Sequence, residues 1–354
     1  MIIYIMYFLI IISLAITFHK NKKVFCIITG IMLWLLLALR SINIGINDTK
    51  NIYMPMFNNM VNITIIDIFK DKNMQDFLFW ISMKIISVIT SNFQICIAIL
   101  AIPYIFFVMK TIYKYSQDCL ISVILFMALY YMYSTFLLRQ VIAVGILIMS
   151  YKYIVEQDIK KFILCLVVAT LFHRTALIFL VAYPFCKYNK FDYKNYIYIF
   201  GMLVISKFFI NDILELLMKF DFTNKVEMAI THNIYTVNGQ ISYFGLFITV
   251  AILFISRTFG KGLKEKKEFD TLCNLSTLGS AIFTLSNVVV EFYRVSVYFS
   301  IFNILLLPMA LNNMKDQRTR IIFKTLVIIF AIIYFCTRTV NNVNSNPYMF
   351  WWEV

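Results

Sequence analysis

The sequence predicts an all-α, polytopic integral membrane protein with roughly 10–12 helical segments. Of its 354 residues, 61% are hydrophobic and only 14% are charged, whereas a soluble domain has about 25% charged residues. The mean hydropathy is +0.81, and long apolar runs return along the whole chain. Backbone groups in lipid must form hydrogen bonds within the protein, so only helices and closed barrels span a membrane. The runs are too long and too uniformly apolar for barrel strands, which predicts helices.

The charge distribution, the cysteines and the motifs of the sequence exclude several classes of function. The formal net charge is +14, but the basic residues lie in short loops between apolar runs, as the positive-inside rule expects, so no nucleic acid is predicted. The seven cysteines are scattered without CxxC spacing or histidine neighbours, which is typical of small core residues. No Walker loop, HExxH, GxSxG or metal-spaced carboxylate set is present, so ATP-driven transport and metalloprotease chemistry are unsupported and neither metal nor cofactor is predicted.

The predicted helices follow the apolar runs in order. The first run is followed, not preceded, by lysines and has no small-residue cleavage site, so we expect an anchoring helix with its N-terminus outside. A polar break near Ser91-Asn92 divides the third run into two pieces. The runs are 2–18, 24–39, 77–109, 119–138, 141–155, 162–186, 195–210, 241–256, 271–290, 295–311 and 325–337.

The sides of the loops follow from their charge. The loop 257–270 is the most basic and is predicted to be cytoplasmic. Counting crossings from it makes the loops 40–76 and 211–240 and the tail 338–354 external, within a single membrane domain of residues 1–354. The loop 211–240 begins with apolar residues at helical spacing, which predicts an amphipathic helix on the outer surface.

The run 162–186 starts and ends on the cytoplasmic side by this count. We therefore expect a re-entrant hairpin with its apex near His173, each arm being about 11 residues or roughly 17 Å of helix. The apex then lies partway through the bilayer and points outward. The alternative is that one crossing has been miscounted.

Seven polar residues fall at or near the outer ends of helices and could share one outward-facing cavity. Each alone could be an ordinary helix-end charge. That interpretation is weaker for Arg139, His173 and Arg174, which have apolar sequence on both sides, because burying a charge at membrane depth costs at least a few kcal/mol. His19 and His232 lie in predicted loops and are expected to be structural. The seven residues are Arg40, Asp48, Arg139, His173, Arg174, Glu291 and Arg294.

Several arginines with a histidine and few carboxylates suit transfer at the anomeric carbon of a phosphorylated lipid-linked sugar. Guanidinium groups bind phosphate oxygens bidentately and stabilise a diphosphate leaving group. A histidine or carboxylate can take the proton of the acceptor hydroxyl. We rank His173 first as this base, Asp48 second and Glu291 third, since Glu291 could instead hold Arg294 on the same helical face.

Short motifs spread over most of the chain resemble a known family, the O-antigen and exopolysaccharide polymerases of bacterial envelopes (the Wzy type, EpsG-like branch). Each motif is short, and their order and spacing together carry the resemblance. The family pattern has a small polar residue after the histidine, where this chain has Arg174. The motifs are Leu39-Arg40 with Ile44-Gly45, Asp48 and Tyr53; Leu138-Arg139-Gln140 with Ile142-Ala143; Ala169 with Leu171-Phe172-His173 and Ala176-Leu177; and Glu291 with Tyr293-Arg294.

The resemblance implies a multi-pass glycosyltransferase of the lipid-phosphosugar (GT-C-like) type in the bacterial plasma membrane. Such an enzyme joins oligosaccharide repeat units carried on undecaprenyl diphosphate at the outer face, without a metal. Expected partners are that lipid-linked oligosaccharide, membrane lipid, a chain-length regulator and other polysaccharide-assembly proteins. The residues expected to bind the substrate or its diphosphate are Arg40, Arg139, Gln140, Arg174 and Arg294.

Three other functions stay open from the sequence. A transporter or flippase of the same lipid-linked sugar could share the arginine cavity, but it should offer binding groups on both sides and paired broken helices. A membrane O-acyltransferase could use His173. A non-catalytic membrane scaffold is the third alternative.

Overall fold

The computed structural model describes residues 2–43, 48–71, 74–209, 243–260, 262–263, 265–287, 292–340 and 348–353. Regular structure in these ranges is helical, apart from an isolated bridge between Arg40 and Phe350, so the all-α prediction is confirmed. The α-helices are α1 Ile2–Thr17, α2 Lys22–Ala38, α3 Met54–Asn59, α4 Ile65–Lys70, α5 Phe77–Ile89, α6 Phe93–Tyr115, α7 Cys119–Leu129, α8 Leu138–Met149, α9 Tyr151–Val155, α10 Ile159–Phe172, α11 Ala182–Tyr188, α12 Lys194–Phe208, α13 Tyr243–Phe259, α14 Lys266–Thr284, α15 Phe292–Ser300, α16 Asn303–Asn312 and α17 Gln317–Val340. Shorter 3₁₀ or π turns cover Thr49–Tyr53, Met60–Asn62, Tyr131–Thr135, Arg174–Val181 and Leu285–Asn287.

Several predicted segments are broken, so the described part holds more helices than the sequence predicts. The break near Ser91-Asn92 is present between α5 and α6. The run 119–138 ends as an α-helix at Leu129 and continues as the 3₁₀ turn Tyr131–Thr135. α10 stops at Phe172, so the run 162–186 does break at His173. The depth of that break in a membrane stays a prediction.

Polar residues between the apolar runs become helix caps, which explains where the helices start. The Asn92 side chain accepts from the backbone N–H of Gln94, and Asp118 accepts from that of Ile121 at 3.1 Å. Such a cap satisfies N–H groups that the first turn leaves without partners.

Two boundary predictions are wrong. The last helix begins at Gln317, not at 325, because Asp316 caps it: Asp316 Oδ2 lies 2.8 Å from the Thr319 N–H. Arg318, Arg320 and Lys324, which lie between the predicted runs 295–311 and 325–337, therefore belong to the helix, and Lys324 Nζ lies 2.6 Å from Asp118 Oδ2. The predicted loop 257–270 is also shorter, since α13 runs to Phe259 and α14 starts at Lys266.

The chain divides into two compact units, Met1–Leu180 with Met314–Val354 and Val181–Asn313. In the first, α6 packs against α2 and α8, α10 packs against α5 and α8, and α17 packs against α7. The C-terminal segment packs on α2, because the Tyr348 hydroxyl donates to the Leu36 carbonyl at 3.1 Å. Aromatic ring contacts there join Tyr4, Phe8, Phe335 and Tyr348.

In the second unit α14 packs against α12, α13 and α15. A buried amide network joins α12 to α14, where Asn195 Nδ2 donates to Asn274 Oδ1 at 2.9 Å and to the Thr277 hydroxyl at 3.0 Å. Buried polar groups that satisfy one another in this way fix the register of two helices.

Length and apolar composition identify candidate membrane spans. Among the described residues, α6 and α17 are long and apolar enough to cross a membrane, and α15 with α16, bent by 43°, is a third as a pair. The predicted amphipathic helix in 211–240 lies outside the described residues. The sides of the loops and the single membrane domain stay predictions.

Candidate functional site

The Asp76 carboxylate accepts hydrogen bonds from three groups that the sequence places far away. Asp76 Oδ2 lies 2.8 Å from Arg139 Nη1 and 3.1 Å from His173 Nδ1. Asp76 Oδ1 lies 3.0 Å from the backbone nitrogen of Arg174. The Asp76 side chain is 4% exposed, whereas those of Arg139 and His173 are about one-fifth exposed, at 19% and 20%. The carboxylate is therefore buried behind two side chains that solvent or a substrate can reach.

Three helix ends bring these residues together. Asp76 immediately precedes α5, Arg139 is the second residue of α8, and His173 directly follows α10. The extended backbone of His173, with φ −156°, turns the chain away from the helix and aims the Arg174 N–H at Asp76. Because α10 packs against both α5 and α8, the three ends meet in one place.

Arg139 is held by aromatic groups as well as by Asp76. Its Nε donates to the Tyr53 hydroxyl at 3.0 Å. Its guanidinium carbon lies 5.4 Å from the centre of the Tyr53 ring and 5.7 Å from that of Trp80, within range of a cation–π interaction. Tyr53 and Trp80 belong to a buried apolar cluster with Phe79 and Leu138. Arg139 therefore packs against side chains of this buried apolar cluster.

Arg174 takes part through both its backbone and its side chain. While its N–H donates to Asp76, its Nη1 donates to Gln75 Oε1. The adjacent residues Gln75 and Asp76 thus hold the two adjacent residues His173 and Arg174. This pairing fixes the register between the start of α5 and the turn after α10.

The electrostatics of the cluster keep Asp76 ionised. Burial raises the pKa of a carboxyl group, but the hydrogen bond and charge of His173, the charge of Arg139 and the Arg174 N–H outweigh burial here. The pKa of Asp76 consequently lies below its usual value. Asp76 at −1 faces two arginines at +1 each, so it balances only one of their two charges.

The structure brings together Arg139, His173 and Arg174 among the predicted site residues. Asp48 is half-buried and near enough for its charge to act on Arg139. Gln140 is buried beside Arg139 on α8. The substrate-binding roles predicted for these residues stay predictions.

Arg40, Arg294 and Glu291 complete the set of predicted site residues. Arg40 is buried, and its Nη2 donates to the Thr135 carbonyl at 2.7 Å, in the 3₁₀ turn that precedes α8. Arg294 belongs to the second unit, where its Nε lies 3.0 Å from the Tyr293 hydroxyl. Glu291 lies outside the described residues. Convergence of Arg294 with Arg139 stays a prediction.

Sequence reasoning missed Asp76, the centre of the cluster, and its neighbour Gln75. Both stand at the end of the polar loop 40–76, where an aspartate before an apolar run looks like an ordinary helix cap. One signal could have found it. An arginine flanked by apolar sequence needs a carboxylate partner, and Asp76 is the acidic residue that directly precedes an apolar run on the predicted outer side.

Apolar helices that bury a charged cluster at their ends define a multi-pass membrane protein with a polar site. The family model of the EpsG family matches residues 23–352, nearly the whole chain. The chain therefore belongs to the EpsG family, which supports a polysaccharide-polymerase type of membrane protein. No curated protein and no solved structure matches it.

Proposed function

We propose that this protein is a glycosyltransferase that polymerises oligosaccharide repeat units carried on undecaprenyl diphosphate, at the outer face of the bacterial plasma membrane. The observation that carries the proposal is the Asp76 carboxylate joined to His173, Arg139 and Arg174. One histidine held by a carboxylate supplies a base, and two arginines supply phosphate ligands. Family membership supports the polymerase class.

His173 is the proposed base. With Nδ1 3.1 Å from ionised Asp76, the Nδ1–H tautomer donates to the carboxylate and leaves Nε2 as the acceptor. In the reaction the acceptor sugar hydroxyl attacks the anomeric carbon of the donor sugar, and a new C–O bond forms. The C–O bond to the diphosphate breaks, the electron pair leaves with undecaprenyl diphosphate, and the hydroxyl proton passes to Nε2 of His173.

Arg139 and Arg174 are the proposed ligands of the diphosphate. The contacts of Arg139 to Tyr53 and Asp76 use two of the five N–H groups of a guanidinium. Nη2 can therefore bind a phosphate oxygen while Nε and Nη1 stay anchored. A pre-positioned positive charge stabilises the negative charge that develops on the leaving group, because it requires no reorganisation during the reaction.

Asp48 is the second candidate for the base. It is half-buried at the start of the turn Thr49–Tyr53, and that turn carries the Tyr53 hydroxyl that anchors Arg139. In this proposal Asp48 binds the incoming acceptor sugar even where His173 takes the proton.

The test is single coupling by purified protein in lipid nanodiscs, with synthetic undecaprenyl-diphosphate oligosaccharide as both donor and acceptor. The expected products are a lipid carrying two repeat units and one equivalent of released undecaprenyl diphosphate. His173→Gln should lower turnover by about 10²–10⁴-fold, and His19→Gln, which changes an exposed loop histidine, should leave turnover unchanged.

Two outcomes contradict the proposal. Transport of the lipid-linked sugar across the bilayer without release of undecaprenyl diphosphate would establish a flippase. Transfer of an acyl group to the sugar that depends on His173 would establish an acyltransferase.

A further inference from the structure

An apolar groove lies on the first unit, formed by one face of α2 and one face of α6. Its volume is about 440 Å³. The lining residues recur at helical spacing on both helices, from Lys23 to Trp34 on α2 and from Ile102 to Tyr113 on α6. Eleven residue steps of helix span roughly 16 Å, about half of the ~30 Å hydrocarbon core. The groove therefore has the length of one lipid chain in one leaflet.

Two lysines stand at the same end of this groove. Gln94, near the start of α6, donates to the carbonyl of Ala38, the last residue of α2, at 2.7 Å, so the two helices run antiparallel. Lys23 near the start of α2 and Lys110 in the last two turns of α6 consequently lie toward the same end of the groove. In the described part of the chain neither lysine is ion-paired with a carboxylate.

A hydrogen bond joins the two helices at the other end of the groove. The Trp34 indole nitrogen donates to the Ala98 carbonyl at 2.7 Å and ties α2 to α6 above the apolar lining. At Gly30 the helices approach so closely that an added Cβ would lie 3.2 Å from Met109 Cγ. The groove thus has an apolar lining and one cationic end.

We infer that this groove binds one anionic glycerophospholipid, with an acyl chain along α2 and α6 and its phosphate between Lys23 and Lys110. The charge of the groove favours an anionic lipid, since each lysine attracts an anionic headgroup, whereas a zwitterionic lipid gains little from two cations. The location excludes the diphosphate of the polymerase substrate. The cationic end lies at the opposite ends of α2 and α6 from Arg40 and Gln94, which adjoin the turn before Arg139. By the positive-inside rule the lipid belongs to the cytoplasmic leaflet.

The test measures lipid binding to the full chain by native mass spectrometry, with phosphatidylglycerol and phosphatidylcholine of identical acyl chains. We expect one phosphatidylglycerol to be retained. Lys23→Gln with Lys110→Gln should raise its apparent Kd by about 10–30-fold. Lys20→Gln with Lys114→Gln, which changes the same charge at the same end outside the groove, should not change it.

A second pair of variants tests the apolar part. Ile102 and Ile95 lie on the same helix and are both 46% exposed, but only Ile102 lines the groove. Ile102→Trp should lower retention and Ile95→Trp should not. Equal retention of the two phospholipids, or equal losses in both lysine pairs, would show general annular lipid only and overturn the inference. Stronger binding of undecaprenyl phosphate than of phosphatidylglycerol at this groove would also overturn it.

Discussion

Asp76 and His173 are 97 residues apart in the chain, and their side chains meet at 3.1 Å between Oδ2 and Nδ1. Asp76 occupies the N-cap position of α5, yet its side chain does not cap that helix. A missing cap costs about 1 kcal/mol, whereas a buried arginine left without its carboxylate costs about 3–5 kcal/mol. Because the second cost is greater, the carboxylate serves Arg139 and His173 instead of its own helix.

Asp76→Asn should remove the base function of His173 while keeping the size of the side chain. The asparagine amide can present an N–H to Nδ1, which favours the tautomer that carries its proton on Nε2 and cannot accept another. We expect turnover to fall by about 10²–10⁴-fold with a smaller change in KM for the donor. The measurement is steady-state coupling in nanodiscs. Asp71→Asn, in the same loop, is the control, and equal losses in both variants would contradict a positioning role.

The lowered pKa of Asp76 predicts how stability depends on pH. Because the folded protein binds this proton more weakly than the unfolded chain, Asp76 stabilises the fold above the ordinary aspartate pKa of about 3.9 and loses that effect as pH falls through its folded pKa. The difference in Tm between the wild type and Asp76→Asn should therefore shrink between about pH 5 and pH 3. A difference in Tm that stays constant over this range would show that folding does not lower the pKa of Asp76.

No substitution of Arg139 should keep full polymerising activity. Lysine can keep one contact to Asp76 but cannot also reach the Tyr53 hydroxyl as a planar fork. Arg139→Ala should abolish polymer, and Arg139→Lys should restore part of it. Tyr53→Phe removes a single hydroxyl and should cost about 1 kcal/mol, seen as a several-fold loss. Immunoblots of membrane fractions check that each variant accumulates, and full activity of Arg139→Ala would exclude it from the site.

The sequence predicts the helices of this fold better than it predicts which helix ends contact one another. The polar interruptions at Arg139 and His173 mark real helix ends, because a charge cannot continue an apolar helix without a partner. The partner, Asp76, lies at the end of another helix. Its position relative to Arg139 and His173 depends on how α10 packs against α5 and α8. That packing is tertiary, so Asp76 looks like a cap until the three helices are placed. The predicted start of the last helix at 325 is wrong for a similar reason, because the basic residues between 317 and 325 lower the hydropathy at the start of that helix.

Arg338, which the sequence did not single out, contacts the broken stretch that precedes α8. Its Nη2 donates to the Tyr133 hydroxyl at 3.0 Å and its guanidinium lies 5.0 Å from that ring, in the broken stretch before α8. Arg338→Gln should lower stability by about 1–2 kcal/mol and raise KM for the donor more than it lowers kcat. Arg338→Lys should recover the stability in part, because it keeps the cation over the ring. Thermal unfolding and steady-state kinetics measure the two effects, and Arg318→Gln on the first turn of the same helix is the control.

The close approach of α8 to α6 at Gly145 gives a last prediction. A Cβ at this glycine would lie 3.1 Å from the Tyr104 Cα and 3.4 Å from Phe107 Cδ2. A backbone atom cannot rotate away, so α8 must shift outward, and α8 also carries Arg139. Gly145→Ala should therefore cost about 1–3 kcal/mol of stability and lower turnover by displacing the arginine from Asp76. Gly201→Ala is the matched control, because nothing lies within 4 Å of a Cβ at that helical position, and alanine is about 1 kcal/mol better than glycine in a helix. Thermal unfolding in detergent should show opposite signs for the two variants. Equal stability of Gly145→Ala and the wild type would mean that α6 and α8 leave room for a methyl group at this crossing.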